Sequence, residues 1–120
     1  MLKPDEEVTM KYMTLIYGDA AAWNALSEEE QKRVAERYMA LSREPVVADG
    51  AELQDAETAT TVRIRNGETL TTDGPFAETK EQLGGYYLID CGSLDEAIEF
   101  AARIPAAERG GVEVRPLVER

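Results

Sequence analysis

Two capping boxes fix where the helices of this chain begin, and the apolar stretches around them are then left to form strands. Ser27 is followed three residues later by Glu30, and Ser93 is followed by Glu96. In each pair the serine can bond the first turn of a helix while the glutamate bonds back to the cap. The first helix is expected to end near Glu44, because the next residue is a proline.

Apolar and aromatic runs on either side of these helices predict the strands. MKYMTLIYG (residues 10–18) is largely apolar or aromatic at both parities, which favours a strand buried on two faces. GGYYLIDC (residues 84–91) predicts another strand with apolar or aromatic residues on both sides. Alternating valines and charges over residues 112–115 predict a last strand. Asp19–Leu26 is expected to form a helical turn that lays Trp23 on the core.

Asn66-Gly67, between TTVRIR and ETLTT, is the clearest turn signal. Both central residues of a type I′ hairpin turn need positive φ, which asparagine and glycine tolerate. In that register Arg65 faces Glu68 on the opposite strand. One face of the predicted hairpin then carries Val62, Ile64, Thr69 and Thr71.

Apolar spacing also predicts which side of each helix faces the sheet. In the first helix, Val34, Tyr38 and Leu41 recur at i, i+4 and i+7. In the second helix the predicted inner residues are Leu94, Ile98 and Ala101–Ala102.

The order of elements is strand, helix, one or two strands, hairpin insertion, strand, helix, strand. This βαββαβ order predicts an α+β, ferredoxin-like fold, in which an antiparallel sheet carries two helices on one face. The other face would keep its apolar side chains uncovered, so a homodimer that pairs two such faces is expected. The domain is predicted to span residues 10–120, with residues 1–9 as an N-terminal extension.

Charge and histidine content narrow the chemistry. Asp and Glu number 24 against 13 Lys and Arg, a net charge of −11, so the basic stripe of a nucleic-acid binder is not expected. The chain has no histidine and one cysteine, which removes the Ser-His and Cys-His arrangements. Neither a metal site nor a cofactor is predicted. An N-terminus rich in acids, without a long apolar run, predicts a cytoplasmic protein with no membrane partner.

DGPFAETKEQLGGYYLID (residues 73–90), with KYMTLIYG and GGVEVRPL, closely resembles the DGPF group of the YCII-related domain family. The match runs from Met10 to about Val118. It implies a dimeric α+β barrel. The wider family has a His-Asp pair near the dimer interface that is proposed to be catalytic, and a chain without histidine cannot form it. Neighbouring genes and fusions in the DGPF group also imply an extracytoplasmic-function sigma factor as a candidate partner.

Asp73 is the best candidate for a catalytic carboxylate. It could act as a general base, or accept a hydrogen bond from a ligand at the mouth of a cavity. Alternatively, Asp73 caps the following turn by accepting bonds from the backbone nitrogens of Phe76 or Ala77. The second interpretation is favoured, because Asp-Gly-Pro is a turn sequence.

Three other charged or aromatic side chains have two interpretations each. Lys80 follows the proline on an expected helical turn over residues 78–81, and either holds an anion or joins surface ion pairs. Phe76 is expected to fill the core rather than stack on a ligand. Arg115, which shares a strand face with Glu113, is the candidate for binding an anionic group, since charges inside a barrel must be paired or bound. If the two side chains point outward instead, they form an ordinary solvated face.

The tyrosines come in pairs of opposite parity. Tyr86 and Tyr87 must point to opposite faces of their strand, as must Tyr12 and Tyr17, so one of each pair is expected to face a cavity or a partner. Tyr17 and Tyr86 are the candidate ligand contacts. The adjacent Gly84-Gly85 pair predicts a bulge or the close approach of another backbone.

These features favour a small homodimeric protein that binds a small anionic or carbonyl ligand or acts as an accessory module. The alternative is a cofactor-independent enzyme acting on a small carbonyl or enolisable compound, with Asp73 assisted by a tyrosine or Arg115. A third interpretation is a regulatory partner of an extracytoplasmic-function sigma factor.

Overall fold

A computed structural model describes residues 9–120, so the expected extension over residues 1–9 lies almost wholly outside the described residues. The strands are β1 Met10–Gly18, β2 Val47–Glu52, β3 Thr60–Arg65, β4 Glu68–Asp73, β5 Gln82–Cys91 and β6 Gly111–Pro116. The helices are α1 Ala20–Asn24, α2 Glu28–Ser42 and α3 Leu94–Ala102, with 3₁₀ turns at Ala56–Thr58 and Pro105–Glu108.

Four strands form one antiparallel sheet in the order β2-β5-β1-β6. β1 pairs with β5 on one side and with β6 on the other, and β2 pairs with the far side of β5. The chain therefore runs as two β-α-β units, each with one antiparallel strand inserted between its parallel strands. It is an α+β protein with a mainly antiparallel sheet, compatible with the predicted ferredoxin-like fold.

β3 and β4 form the predicted hairpin, as a separate two-stranded sheet. Asn66 and Gly67 take φ values of 52° and 77°, and Arg65 pairs with Glu68. The predicted register is therefore confirmed, with one face made of Val62, Ile64, Thr69 and Thr71.

Both helix starts are confirmed. At α2, Ser27 Oγ accepts a bond from the Glu30 N–H at 3.1 Å, and the Glu30 carboxylate accepts one from the Ser27 N–H at 3.4 Å. At α3, Ser93 Oγ accepts from the Glu96 N–H at 3.2 Å. The Glu96 carboxylate instead accepts from the N–H of Gly92 at 2.8 Å, one residue before the cap.

The core lies between the sheet and helices α2 and α3, with Tyr87 at its centre. The Tyr87 ring meets Phe100 edge-on at 5.7 Å, and its hydroxyl donates to the Tyr38 carbonyl at 2.7 Å. Gly50 lies against the same ring, where a Cβ atom would come within 2.8 Å of it. The buried cluster consists of Tyr12, Leu41, Tyr87, Ile89, Cys91, Ala97, Phe100 and Ile104.

The predicted inner face of α3 is largely wrong. Leu94 and Ile98 are each 50% exposed, and the helix buries Ala97, Phe100 and Ala101. Two apolar stripes run along this short helix, and spacing alone does not separate them. The structure buries the stripe that combines one large ring with small alanines, which let the helix lie close to the sheet.

The expectation that Trp23 packs on the core is also wrong. The predicted helical turn is present as α1, but Trp23 is exposed. The Asp19 side chain caps α1 by accepting from the Ala21 N–H at 2.9 Å, and Gln31 donates to the Trp23 carbonyl at 3.0 Å. These hydrogen bonds stabilise α1 as a short connection between β1 and α2, without burial of Trp23.

Candidate functional site

The sheet face turned away from α2 and α3 has no covering layer within residues 9–120. Strand alternation and register place the following side chains on this surface, called the open face below: Met13, Leu15, Tyr17, Tyr86, Leu88, Asp90, Glu113 and Arg115. Its apolar members are half-buried, because they shield one another. The expectation that β1 is buried on both faces is therefore correct for only one face of this protomer.

The predicted division of the tyrosines is confirmed. Tyr12 and Tyr87 lie in the core, whereas Tyr17 and Tyr86 are half-buried on the open face. Within the described residues, neither of the two open-face hydroxyls has a hydrogen-bond partner. Two phenols on an apolar floor are thus available to a ligand or a second protein.

A groove of about 340 Å³ lies at the end of the sheet, and its lining is Tyr17, Glu81, Gly111, Val112 and Glu113. Glu113 accepts a bond from Arg115 Nε at 2.8 Å and a second from Arg115 Nη2. The two charges predicted to share a strand face therefore form an ion pair. Of the five N–H donors of a guanidinium, three remain for an anionic group.

Asp73 and Phe76 lie on a different part of the protomer, after strand β4. Gly74 takes a φ of 112°, and its N–H donates to the Ala59 carbonyl at 2.7 Å. Within residues 9–120, the Asp73 carboxylate accepts no hydrogen bond, so the predicted cap onto Phe76 or Ala77 is not formed. The backbone bond to Ala59 fixes this turn without the side chain.

The helical turn expected over residues 78–81 is also absent from the described chain. Gln82 Nε2 donates to the carbonyls of Ala77 and Thr79, at 2.8 and 2.9 Å. Thr79 Oγ1 donates to the Glu81 carbonyl at 2.5 Å. These side chains satisfy carbonyls that a helix would have paired, and they hold the segment as an ordered loop.

A second groove, of about 410 Å³, separates this loop from the 3₁₀ turn at Ala56–Thr58. Its lining is Ala56, Glu57, Asp73, Gly74, Pro75, Glu78, Thr79 and Gln82. Three carboxylates and no basic residue line it, a potential that repels anions. Lys80 lies elsewhere, with Nζ 4.0 Å from Asp19 Oδ2. Within one protomer, Asp73 thus shares neither groove with Lys80, Arg115 or a tyrosine.

Phe76 does not fill the core of the protomer as expected, because its side chain is 75% exposed. The Arg63 guanidinium lies over the ring, 4.8 Å from its centroid. Such cation–π contacts at exposed sites contribute about 0.5–1 kcal/mol. Phe76 therefore ties the loop to the hairpin.

The Gly84-Gly85 pair forms the predicted bulge. Ile16 pairs with Gly85 and Tyr17 pairs with Leu83, which leaves Gly84 as the extra residue. A Cβ atom on Gly85 would lie 2.7 Å from the Ala51 carbonyl oxygen, so the backbones approach closely there. Tyr17, which lies beside the bulge, lines the groove at the end of the sheet.

Sequence reasoning missed Asp90. Its Oδ1 atom is buried and has no hydrogen-bond partner within residues 9–120, and the residue pairs with Lys11 in the register of β1 and β5. The sequence carried a signal for it. Asp90 is an acid inside the apolar run YYLIDC, and its parity places it on the same strand face as Tyr86.

Burial raises the pKa of two side chains in the core. It raises the pKa of Tyr87 to about 12, and it raises the pKa of the Cys91 thiol. Cys91 is a small buried member of the core. Within residues 9–120, no three His, Cys, Asp or Glu side chains are grouped to hold a metal ion, and no helix there could span a membrane.

Residues 10–120 match the YCII-related domain, and the chain therefore belongs to the YCII-related domain family. Over 114 residues it is 47% identical to a protein of Rhizobium meliloti (strain 1021) named "Uncharacterized protein R00369". That match covers 90% of this chain and 92% of the relative. Neither description names a reaction or a ligand.

Proposed function

We propose that this chain is a cytoplasmic, homodimeric small-ligand-binding or accessory protein of the DGPF group of its family, with its site on the open face. The observation that carries the proposal is that Tyr17, Tyr86 and Arg115 share an apolar sheet face that no other element covers within residues 9–120. The protomer is only 19 Å thick, the depth of one sheet and one helix layer. A second copy placed on this face would enclose the site.

The surface area supports a partner. The chain exposes 9055 Å², whereas a compact monomer of its mass exposes about 6,500 Å². Even if residues 1–8 are counted as fully exposed, the excess stays above about 1,000 Å². One side of a standard protein interface buries about 800 Å². Burial of this excess in a homodimer of the α+β barrel type is what the proposal expects.

The chemistry of the open face fits a small ligand with an apolar body and a carbonyl or carboxylate group. Met13 and Leu15 would contact the apolar part, while the Tyr17 and Tyr86 hydroxyls and the free N–H groups of Arg115 would donate to its oxygen atoms. Because Glu113 offsets one positive charge, a neutral carbonyl or a single carboxylate is favoured over a dianion. Lys80, the neighbour of the groove-lining Glu81, stays a candidate contact at the rim. Asp73 and Phe76 lie away from this face, so they stay candidate contacts only if the partner subunit brings them to it.

The test combines ligand retention with thermal shift. Native mass spectrometry of freshly purified protein should show a retained small molecule, and small carboxylates and carbonyl compounds should raise the melting temperature. Tyr86→Phe and Arg115→Met should lose that shift, whereas Arg33→Met on the exposed side of α2 should keep it. Ligand shifts that are equal in all three variants would place the site elsewhere.

Catalysis is a second candidate, and the unbonded Asp73 carboxylate is the observation that favours it. A general base needs a free lone pair within reach of the substrate, and Asp73 is not engaged by its own turn. A cofactor-independent reaction on an enolisable carbonyl compound would show as solvent deuterium exchange followed by NMR. Asp73→Asn should abolish this exchange and Glu57→Gln should preserve it. Exchange unchanged by Asp73→Asn would exclude Asp73 as the base.

A further inference from the structure

The β3–β4 hairpin stands apart from the rest of the protomer. Within residues 9–120, neither strand makes more than marginal contact with another strand or helix. Its base is held by the Gly74 N–H, which donates to the Ala59 carbonyl, and by Thr61 Oγ1, which donates to the Gly74 carbonyl at 2.9 Å. An isolated two-stranded hairpin is at best marginally stable in water, so this one needs a surface to lie on.

One face of the hairpin is apolar and uncovered. Val62 is 60% exposed and Ile64 is 57% exposed, and they stand next to each other on that face with Thr69 and Thr71 across from them. β-Branched side chains of this kind pack well on a flat apolar surface. The hairpin therefore presents a ready-made contact surface to another molecule.

The face of the hairpin that carries Val62 and Ile64 is uncharged, and this identifies the kind of surface that it fits. Both arginines of the hairpin lie on its opposite face, across from Glu68 and Leu70. The open face offers uncovered apolar side chains, those of Met13, Leu15 and Leu88. Two uncovered apolar faces are complementary, and the exposed area in excess of a compact monomer is larger than the area of about 800 Å² that one side of a standard interface buries. Every copy of this chain carries both surfaces.

We propose that the hairpin is an arm exchanged between subunits, which lays Val62 and Ile64 on the open face of the partner. This inference rests on the homodimer of the proposed function and adds to it a specific contact. In a two-fold symmetric dimer each subunit gives one arm and receives one, so both sites are closed in the same way. The ligand site is then incomplete in a single subunit, because the partner's hairpin forms its outer wall.

Disulfide trapping tests the contact directly. In a Cys91→Ala background, Ile64→Cys and Leu88→Cys are combined and the protein is oxidised. The double variant should run at twice the chain mass on a denaturing gel without reductant, whereas each single variant should run mainly as one chain. A cross-link within one chain, or none, would overturn the exchanged arm.

The oligomeric state keeps the two proposals distinguishable. Light scattering that shows a dimer without the cross-link would refute the arm and leave the homodimer standing, whereas a monomer would refute both. Replacing Val62 and Ile64 by threonine keeps strand propensity and should weaken dimerisation about tenfold or more. Leu70→Thr, on the other face of the hairpin, should change it less than about twofold. Equal effects would contradict the assigned face, and binding of a different protein to the arm would contradict the exchange.

Discussion

Tyr86 and Tyr87 are neighbours on β5, and their side chains lie on opposite sides of the sheet. The Tyr87 hydroxyl reaches through the core to the Tyr38 carbonyl at 2.7 Å, whereas Tyr86 is half-buried on the open face. One residue therefore holds helix α2 on the sheet, and the next one is available for binding. Substituting each tyrosine by phenylalanine separates these two roles.

Tyr87→Phe should lower the free energy of unfolding by about 1–2 kcal/mol, because it removes a partly buried hydrogen bond while keeping the ring. Tyr86→Phe should change it by less than about 0.5 kcal/mol, since its hydroxyl has no partner within residues 9–120. Urea denaturation at one fixed protein concentration measures both. Equal losses would mean that Tyr86 also has a structural bond.

The raised pKa of Tyr87, at about 12, predicts a loss of stability in alkali. Burial keeps the phenol protonated in the folded protein, whereas an unfolded tyrosine has a pKa of about 10. Between these values the folded state binds more protons, so its stability should fall as the pH rises from about 10 to about 12. The decrease should be smaller in Tyr87→Phe, as measured by urea midpoints across that range. Identical slopes in both proteins would remove Tyr87 as the cause.

Ile104 and Ile98 test which side of the α3 region packs on the core. Ile104 is fully buried and Ile98 is half exposed. Ile104→Ala should cost about 2–5 kcal/mol of unfolding free energy, and Ile98→Ala less than about 1 kcal/mol. Thermal or urea unfolding distinguishes the two. The reverse order would restore the inner face that spacing alone predicts.

Alanine substitutions at Gly85 and Gly111 test how closely β2 approaches β5 at the bulge. A Cβ atom on Gly85 would lie 2.7 Å from the Ala51 carbonyl oxygen, whereas one on Gly111 meets nothing within 4 Å. Gly85→Ala should therefore destabilise the protein by about 1–3 kcal/mol, and Gly111→Ala should leave it unchanged or slightly more stable. Urea denaturation of the two variants measures the difference. If Gly85→Ala leaves the free energy of unfolding unchanged, β2 can move away from β5 at the bulge.

Much of the fold was predictable because capping, turn and bulge signals determine the backbone conformation at their own positions. The Ser27 and Ser93 caps, the Asn66-Gly67 turn and the Gly84-Gly85 bulge each require a specific residue at a specific backbone position. The buried side of α3 was not predictable, since it depends on which of two stripes fits the facing sheet. Phe76 was misplaced for a related reason, because nothing local shows that its loop lies beside a projecting hairpin.

For the candidate site, the sequence predicted only which side chains share a face of the sheet. Parity separated Tyr17 and Tyr86 from Tyr12 and Tyr87. It could not show that Glu113 binds Arg115, or that the Asp73 carboxylate is unbonded, because side-chain contacts depend on the packing of the surrounding loops. The sigma-factor partnership implied by the resemblance stays a prediction, which salt-dependent co-purification would test.

The mass of the protein in solution tests the central claim most directly, because the site requires a second copy over the open face. Multi-angle light scattering of the full chain should give twice the chain mass of 13.3 kDa, unchanged on moderate dilution. A mass of one chain across the same range would contradict the homodimer and the enclosed site that depends on it.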